Sequence, residues 1–228
     1  MTTVAPVVAI DGPGGAGKGT IAREVARRLG WHLLDSGALY RLVALAAIQQ
    51  ECAWDDVAGL AEIARNLDVK FDFTGDDGSV FLAGQEVTKA IRAEDCSRGA
   101  SVVAAISEVR TALIQRQRDF QQFPGLVADG RDMGSVVFPD SALKIFLTAS
   151  IEERAQRRYK QLKDKGMDAS LRDLSRDMEE RDRRDTERKV APLKPQPDSK
   201  LLDTTSLSIP EVVQLVLDWV AESYPDAT

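Results

Sequence analysis

Cysteine and histidine are nearly absent from this chain: two cysteines, Cys52 and Cys96, and one histidine, His32, are all it has. The cysteines lie far apart and form no C-x-x-C, so they suggest neither a zinc site nor a disulfide framework, and both are expected to be small buried apolar residues. One histidine cannot supply a multi-histidine metal site, and no serine or cysteine shows a partnered nucleophile arrangement. His32 lies within an apolar strand-like run, where a packing role is expected. Long apolar runs are missing too. Nothing approaches the roughly 18 residues of a spanning helix, and Met1-Thr2-Thr3-Val4-Ala5 lacks the charged region of a secretory signal, so a cytoplasmic protein with no membrane partner is expected. Nor is there an excess of basic charge. A formal net charge of −6 argues against a protein that wraps a long nucleic acid, yet a few arginines in a cleft can hold a small phosphorylated ligand.

What remains is an ordinary globular composition, 43% hydrophobic and 29% charged, in 228 residues, enough for one domain with an insertion. Val7-Val8-Ala9-Ile10 reads as a strand buried on both faces of a parallel sheet, and it ends at a glycine-rich turn. From Thr20 onward Ile21, Val25 and Leu29 recur at helical spacing until Gly30 stops the pattern. The arrangement repeats: Trp31-His32-Leu33-Leu34 as a strand, Asp35-Ser36-Gly37 as a turn, Ala38 to about Gln50 as a helix. Two such units make the class α/β. Leu126-Val127-Ala128, Leu143 to Leu147 and Leu201-Leu202-Asp203 supply three further strands, for a sheet of about five. Ser150 with Glu153, and Ser208 with Glu211, have capping-box spacing and predict helix starts after the last two strands.

Val69, Phe71 and Phe73 alternate with polar residues, a Gly75-Asp76-Asp77-Gly78 turn follows, and Val80-Phe81-Leu82 runs back toward Gly84. That small β-meander sets apart an inserted subdomain at about 60–105. A charged helical stretch at about 151–190 reads as a lid with its following helix, leaving a core at about 1–59, 106–150 and 191–228. Pro192, Pro195 and Pro197 mark an extended connection before the last strand.

Gly12-Pro13-Gly14-Gly15-Ala16-Gly17-Lys18 satisfies the phosphate-binding pattern G-x-x-x-x-G-K between a predicted strand and a predicted helix. The glycines let backbone N–H groups converge on phosphate oxygens, the helix start adds positive potential, and Lys18 adds a full charge. A nucleoside triphosphate fits that cradle. The next position is Gly19 rather than serine or threonine, and the hydroxyl comes one place later at Thr20, which can reach a magnesium shell or a phosphate.

The loop alone fits a GTPase, a transport ATPase, a regulatory switch or a kinase. Asp35-Ser36-Gly37-Ala38-Leu39-Tyr40-Arg41 places a hydroxyl, helix-start amides and an arginine at the C-terminal edge of the sheet, where ligands of open α/β sheets bind. Asp129-Gly130-Arg131-Asp132-Met133-Gly134 follows another strand and gathers charged groups in one turn. Arg181, Asp185 and Arg188 share one face if a single helix carries them, so that two guanidiniums could grip phosphate and sugar oxygens; the same run also suits a solvated, salt-bridged helix. No Asn-Lys-x-Asp guanine-reading motif is present.

The stretches Ile10-Asp11-Gly12-Pro13 through Gly17-Lys18-Gly19-Thr20, Leu33 to Arg41, Ala128 to Gly134 and Arg188-Lys189-Val190-Ala191-Pro192-Leu193 closely resemble the bacterial cytidylate kinases, nearly end to end. The resemblance implies a P-loop kinase fold with a five-stranded parallel sheet flanked by helices, a monophosphate-binding insertion and a mobile lid. It implies a monomer that phosphorylates CMP and dCMP with ATP as donor and Mg2+ as cofactor. Gly12, Pro13, Gly14, Gly15, Ala16, Gly17, Lys18, Gly19 and Thr20 would hold ATP, with Thr20 toward the metal. Arg41, Arg131 and Arg188 would contact the acceptor phosphate, Arg181 and Asp185 the sugar, and Ser36, Ser101, Arg110 and Asp132 the cytosine; Asp129 is a further substrate-binding candidate. Arg154, Arg157 and Arg158 in the lid are candidates to neutralise the transferring group. A kinase for another small acceptor such as UMP, AMP or shikimate, and a nucleotide-binding switch, are the alternatives that acceptor-dependent ADP formation separates.

Overall fold

A computed structural model describes residues 4–72, 78–164 and 166–225, with the side chains of Asp72 and Glu94 excepted. The chain divides into two compact units, Met1–Asp35 with Gln117–Thr228, and Ser36–Arg116. The insertion expected at about 60–105 falls within the second, and the lid stretch within the first.

The first unit is built on a parallel sheet of β1 (Val7–Asp11), β2 (His32–Asp35), β6 (Leu126–Gly130), β7 (Leu143–Thr148) and β8 (Lys200–Asp203), in the order β2-β6-β1-β7-β8. Every residue of β1 is buried, as its unbroken apolar run requires of a central parallel strand. Its register sets Asp11 beside Gly130 on one side and Phe146 on the other, so the turns after β1 and β6 start as neighbours. One face of the sheet packs α1 (Lys18–Leu29) and α8 (Ile209–Ser223) through Ile21, Val25, Val213 and Val216 against Val8, Ile10, Val127 and Ile145. Fully burying a side chain of this kind is worth about 1.5–3 kcal/mol, so this layer fixes the strand ends on which the loops stand.

The helix boundaries follow local chemistry. Gly30 ends α1 in the left-handed conformation (φ 66°), and its N–H and that of Trp31 both bond Ala26 O. Ser208 and Glu211 form the expected capping box of α8, and Ser150 Oγ accepts from Glu153 N–H at the start of α6 (Ile151–Asp164). α7 spans Leu171–Glu187 and ends there: Arg188 is extended (ψ 140°). The one-helix placement of Arg181, Asp185 and Arg188 is corrected accordingly. Two packing expectations also change. His32 opens the edge strand β2, is exposed, and pairs its Nε2 with Phe123 O at 3.0 Å. Cys52 is half-buried while Cys96 is buried.

In the second unit α2 (Ser36–Gln49) is apolar on nearly every side and packs against α3 (Val57–Arg65) and α4 (Glu94–Val103). β3 (Val69–Asp72), β4 (Ser79–Leu82) and β5 (Gln85–Glu86) form the antiparallel meander, with Val69 opposite Leu82 and Phe71 opposite Val80. Phe73 and Gly75-Asp76-Asp77 of the anticipated hairpin lie outside the described residues. The helix α5 (Ser107–Arg118) returns the chain to the first unit. Among the described residues no helix is long and apolar enough to cross a membrane.

Candidate active site

The glycine loop leaves β1 through three residues at positive φ, Gly12 (149°), Gly15 (80°) and Gly17 (93°). Gly12 is irreplaceable on sterics as well, since a β-carbon there would stand 1.9 Å from Leu147 O. Gly17 caps α1, whose first turn contains no acidic residue, so its free N–H groups present an uncompensated positive end. Lys18 lies folded under the loop, 5% exposed, with Nζ donating to Pro13 O at 2.9 Å and 3.8 Å from Asp129 Oδ1. Burial, and next the Arg131 guanidinium, bring its ammonium down to about 8, against the opposing pull of Asp129. A cation held at a cost beside other cations is a site suited to an anion.

Those other cations ring the loop. A β-carbon at Gly14 would meet Arg131 Nη2 at 3.6 Å and Arg181 Nη1 at 3.8 Å; at Gly15 it would meet Arg154 Cβ at 3.2 Å, and at Gly17 Arg157 Nη1 at 3.8 Å. Four arginines thus approach the loop backbone. At Gly19 a β-carbon would come within 3.2 Å of Asp129 Oδ2, an approach that a serine could make only if Asp129 gave way by a few tenths of an ångström.

Arg131, Arg154, Arg157 and Arg188 are each set by a partner. Arg131 donates through Nε to Asp185 Oδ2 at 2.9 Å and through Nη1 to Gly130 O at 3.2 Å. Burial works against the Asp185 anion, but Arg131 first, then Arg181 and Arg188, outweigh it and hold its carboxyl below the usual range. Burial likewise disfavours the Arg131 cation, and Asp185 overcomes it, raising the guanidinium further. Arg188 Nη2 stands 4.0 Å from Asp132 Oδ1, both side chains almost wholly buried, and its Nε donates to Ala191 O. Arg154 is engaged on three sides, with Ala149 O, Gly14 O and Asp182 Oδ2, and so ties α6 and α7 to the loop. Arg157 bonds Glu153 and both oxygens of Thr204. Arg158 is half-exposed and carries no hydrogen bond or ion pair among the described residues.

The remaining predicted residues, Thr20 of the first unit aside, stand in the second unit. Ser36 begins α2 and is buried; Arg41 follows on the same helix, its carbonyl accepting from Cys96 Sγ at 3.0 Å. Ser101 lies on α4 with its hydroxyl 3.4 Å from Ser97 O. Arg110 is 8% exposed, bonds Ala104 O at 3.3 Å and lies 5.8 Å over the Tyr40 ring. Thr20 is exposed on the first turn of α1. Among the described residues no cluster of three or more His, Cys, Asp or Glu side chains can hold a metal ion.

A loop that grips phosphates beside a second set of paired arginines is the arrangement of a phosphoryl-transfer enzyme, and comparison with known proteins says which. The family model for cytidylate kinase matches residues 8–222. The chain belongs to the cytidylate kinase family. It is 55% identical to the cytidylate kinase of Shewanella loihica over 99% of both chains. It is 56% identical to that of Cupriavidus necator over 99% of this chain and 100% of the other, and 52% identical to that of Aeromonas salmonicida over 100% and 99%. Membership makes it a nucleoside monophosphate kinase with the P-loop architecture seen in the first unit.

Three residues outside the predicted set also brace this region. Asp11, the one charged residue of β1, accepts from the amides of Met133 and Gly134. Asp182 holds Arg154, and Thr204, 2% exposed, sets its Oγ1 3.3 Å from Ala16 O. Only Asp11 left a signal, an acid closing an apolar strand directly before the glycine loop.

Proposed function

We propose that the glycine loop binds ATP and that Arg131 and Arg188 bring the phosphate of CMP or dCMP to its γ-phosphorus. The observation that carries this reading is the approach of Arg131 and Arg181 to within 4 Å of the space above Gly14. Guanidiniums of the acceptor set therefore border the loop that would hold the donor. Two polyanions can be brought together only where cations line both sides, and this site supplies them.

An acceptor phosphate oxygen attacks the γ-phosphorus in line; that P–O bond forms as the bond to the leaving ADP oxygen breaks. The nucleophile is already an anion, so no general base is required. Lys18, buried and held by Pro13, spreads the charge that develops on the transferring group. Magnesium, when bound, would neutralise charge on the donor phosphates. The residues present fit it, because an ion kept mainly by phosphates and water needs few protein ligands, and the exposed Thr20 hydroxyl is the one offered at the helix start. Asp185 and Arg181 serve the sugar. In the second unit Arg110, its guanidinium over the Tyr40 ring, is the candidate reader of the cytosine ring. We take the working form to be a monomer.

The test is ADP formation from Mg-ATP with CMP, dCMP, UMP, AMP, GMP and dTMP offered separately, beside a control without acceptor. Turnover confined largely to CMP and dCMP is expected, with slow background hydrolysis. Equal rates across the panel would defeat the acceptor assignment.

A further inference from the structure

Asp11 has no part in the chemistry above, yet it stands at the end of β1 immediately before Gly12 and is only 7% exposed. Both of its oxygens are engaged. Oδ1 accepts from Met133 N–H at 2.8 Å and Oδ2 from Gly134 N–H at 2.9 Å, across 122 and 123 residues of sequence. These two amides open a single π-helical turn, Met133–Val137. Inside that turn Val136 and Val137 N–H bond Asp132 O, and Phe138 N–H bonds Met133 O. Its first amides point away from any carbonyl of the turn, and a carboxylate from another strand satisfies both.

The same turn is clamped from its other side. Met133 is fully buried, and its side chain folds over Gly130, where a β-carbon would stand 2.7 Å from Met133 Cε. Arg131 and Asp132 lie between these two clamps. Their backbone direction is therefore fixed by Asp11 at one end and by the Gly130–Met133 contact at the other.

We infer that Asp11 is a positioning residue of the acceptor site, whose carboxylate locks the Met133–Val137 turn and thereby fixes Arg131 and Asp132 relative to the phosphate loop. This rests on the assignment of Arg131 to the acceptor made above. Asp11 is not needed as a general base, because the attacking phosphate oxygen is already an anion. Burial raises its carboxyl to about 6, with Asp132 adding to the rise and the two amides and Lys18 opposing it. The amide pair thus holds charged a group that its surroundings disfavour.

Asp11→Asn keeps the shape but offers one acceptor, and its NH2 faces an amide that also donates. Steady-state kinetics of D11N should show KM for CMP raised about tenfold or more while KM for ATP stays within about twofold. Plain destabilisation would lower the amount of active enzyme, and so apparent kcat, without splitting the two KM values. A folded D11N with KM for CMP within about twofold of the parent, or with both KM values raised alike, overturns the inference. The second measurement needs no variant and no substrate: amide proton shifts of Met133 and Gly134 in the unliganded protein between about pH 4.5 and 7.5. Both should titrate together near the Asp11 value. Flat shifts in the parent protein overturn the link between Asp11 and the turn even if D11N cannot be folded. Absence of CMP-dependent turnover in the parent, with the amides still titrating, would sink the acceptor reading and this role with it, while leaving the Asp11 clamp as a structural fact.

Discussion

Replacing Asp185 by asparagine removes one charge from a buried pair while keeping the side chain's volume. Arg131 Nε and Asp185 Oδ2 are 2.9 Å apart, with side chains 19% and 10% exposed. Breaking a fully buried pair by removing one partner costs about 3–5 kcal/mol. The partial exposure of Arg131 and the neutral acceptor that asparagine retains bring the expected loss to about 2 kcal/mol. For a protein of this length that lowers Tm by about 4–8 °C near neutral pH. The dependence on pH has a definite sign. The folded carboxyl is held below its ordinary range by Arg131. Its stabilising contribution is therefore complete above the unfolded value of about 4 and fades as pH falls through the lower folded value. Urea denaturation of the parent, D185N, R131M and the double variant at pH 7.5 and at pH 3.5 gives both quantities. A coupling energy of about 1 kcal/mol or more is expected at the higher pH, shrinking at the lower. Coupling below about 0.5 kcal/mol at pH 7.5, or a stability difference unchanged in acid, would refute the pairing argument.

Lys18→Met should remain folded, because burial and the neighbouring guanidiniums already disfavour the ammonium. Its kcat should fall by about 100-fold or more; a folded K18M that keeps its kcat contradicts the assigned role. Gly12→Ala should cost about 4 kcal/mol or more, since its β-carbon meets a backbone carbonyl and its φ is unfavourable; a Tm within a few degrees of the parent would show that the strand end can shift. Gly19→Ser should leave Tm nearly unchanged, helix propensity offsetting the 3.2 Å approach to Asp129, while kcat/KM drops several-fold. Unchanged kcat/KM would mean that Asp129 moves aside freely.

Patterns confined to one segment were legible in the sequence. The strand-loop-helix of residues 7–29 needs only an apolar run, a glycine pattern and a 3.6-residue period, and the Ser150 cap of α6 and the capping box of α8 are set within four residues. Features set by partners across the sheet were not. Asp11 meets Met133 over a gap of 122 residues, a pairing no local period encodes. Arg188 was misplaced because spacing assumes that the helix continues, whereas the chain turns extended at Arg188 and Arg188 Nε closes onto Ala191 O just before Pro192. The apolar neighbours of His32 suggest a place in the core. His32 instead opens a strand at the sheet's edge, where one flank has no covering strand.

The net charge of −6 and the phosphate chemistry are reconciled by where the charges sit. Around the loop, Arg131, Arg154 and Lys18 each have a carboxylate close by, in Asp185, Asp182 and Asp129. Such pairing lets guanidiniums be buried at the loop without an incoming anion, and it orients them before one arrives. Lys18 is the least compensated: Asp129 stands 3.8 Å away, its short contact is a neutral carbonyl, and Arg131 and Arg181 repel it. A triphosphate would relieve that repulsion at the ammonium that the transfer needs most, so the imbalance is placed where ligand binding corrects it. Because these groups are buried, added salt should weaken their hold on phosphate far less than it weakens the exposed pairs of α1, such as Arg27 with Glu24.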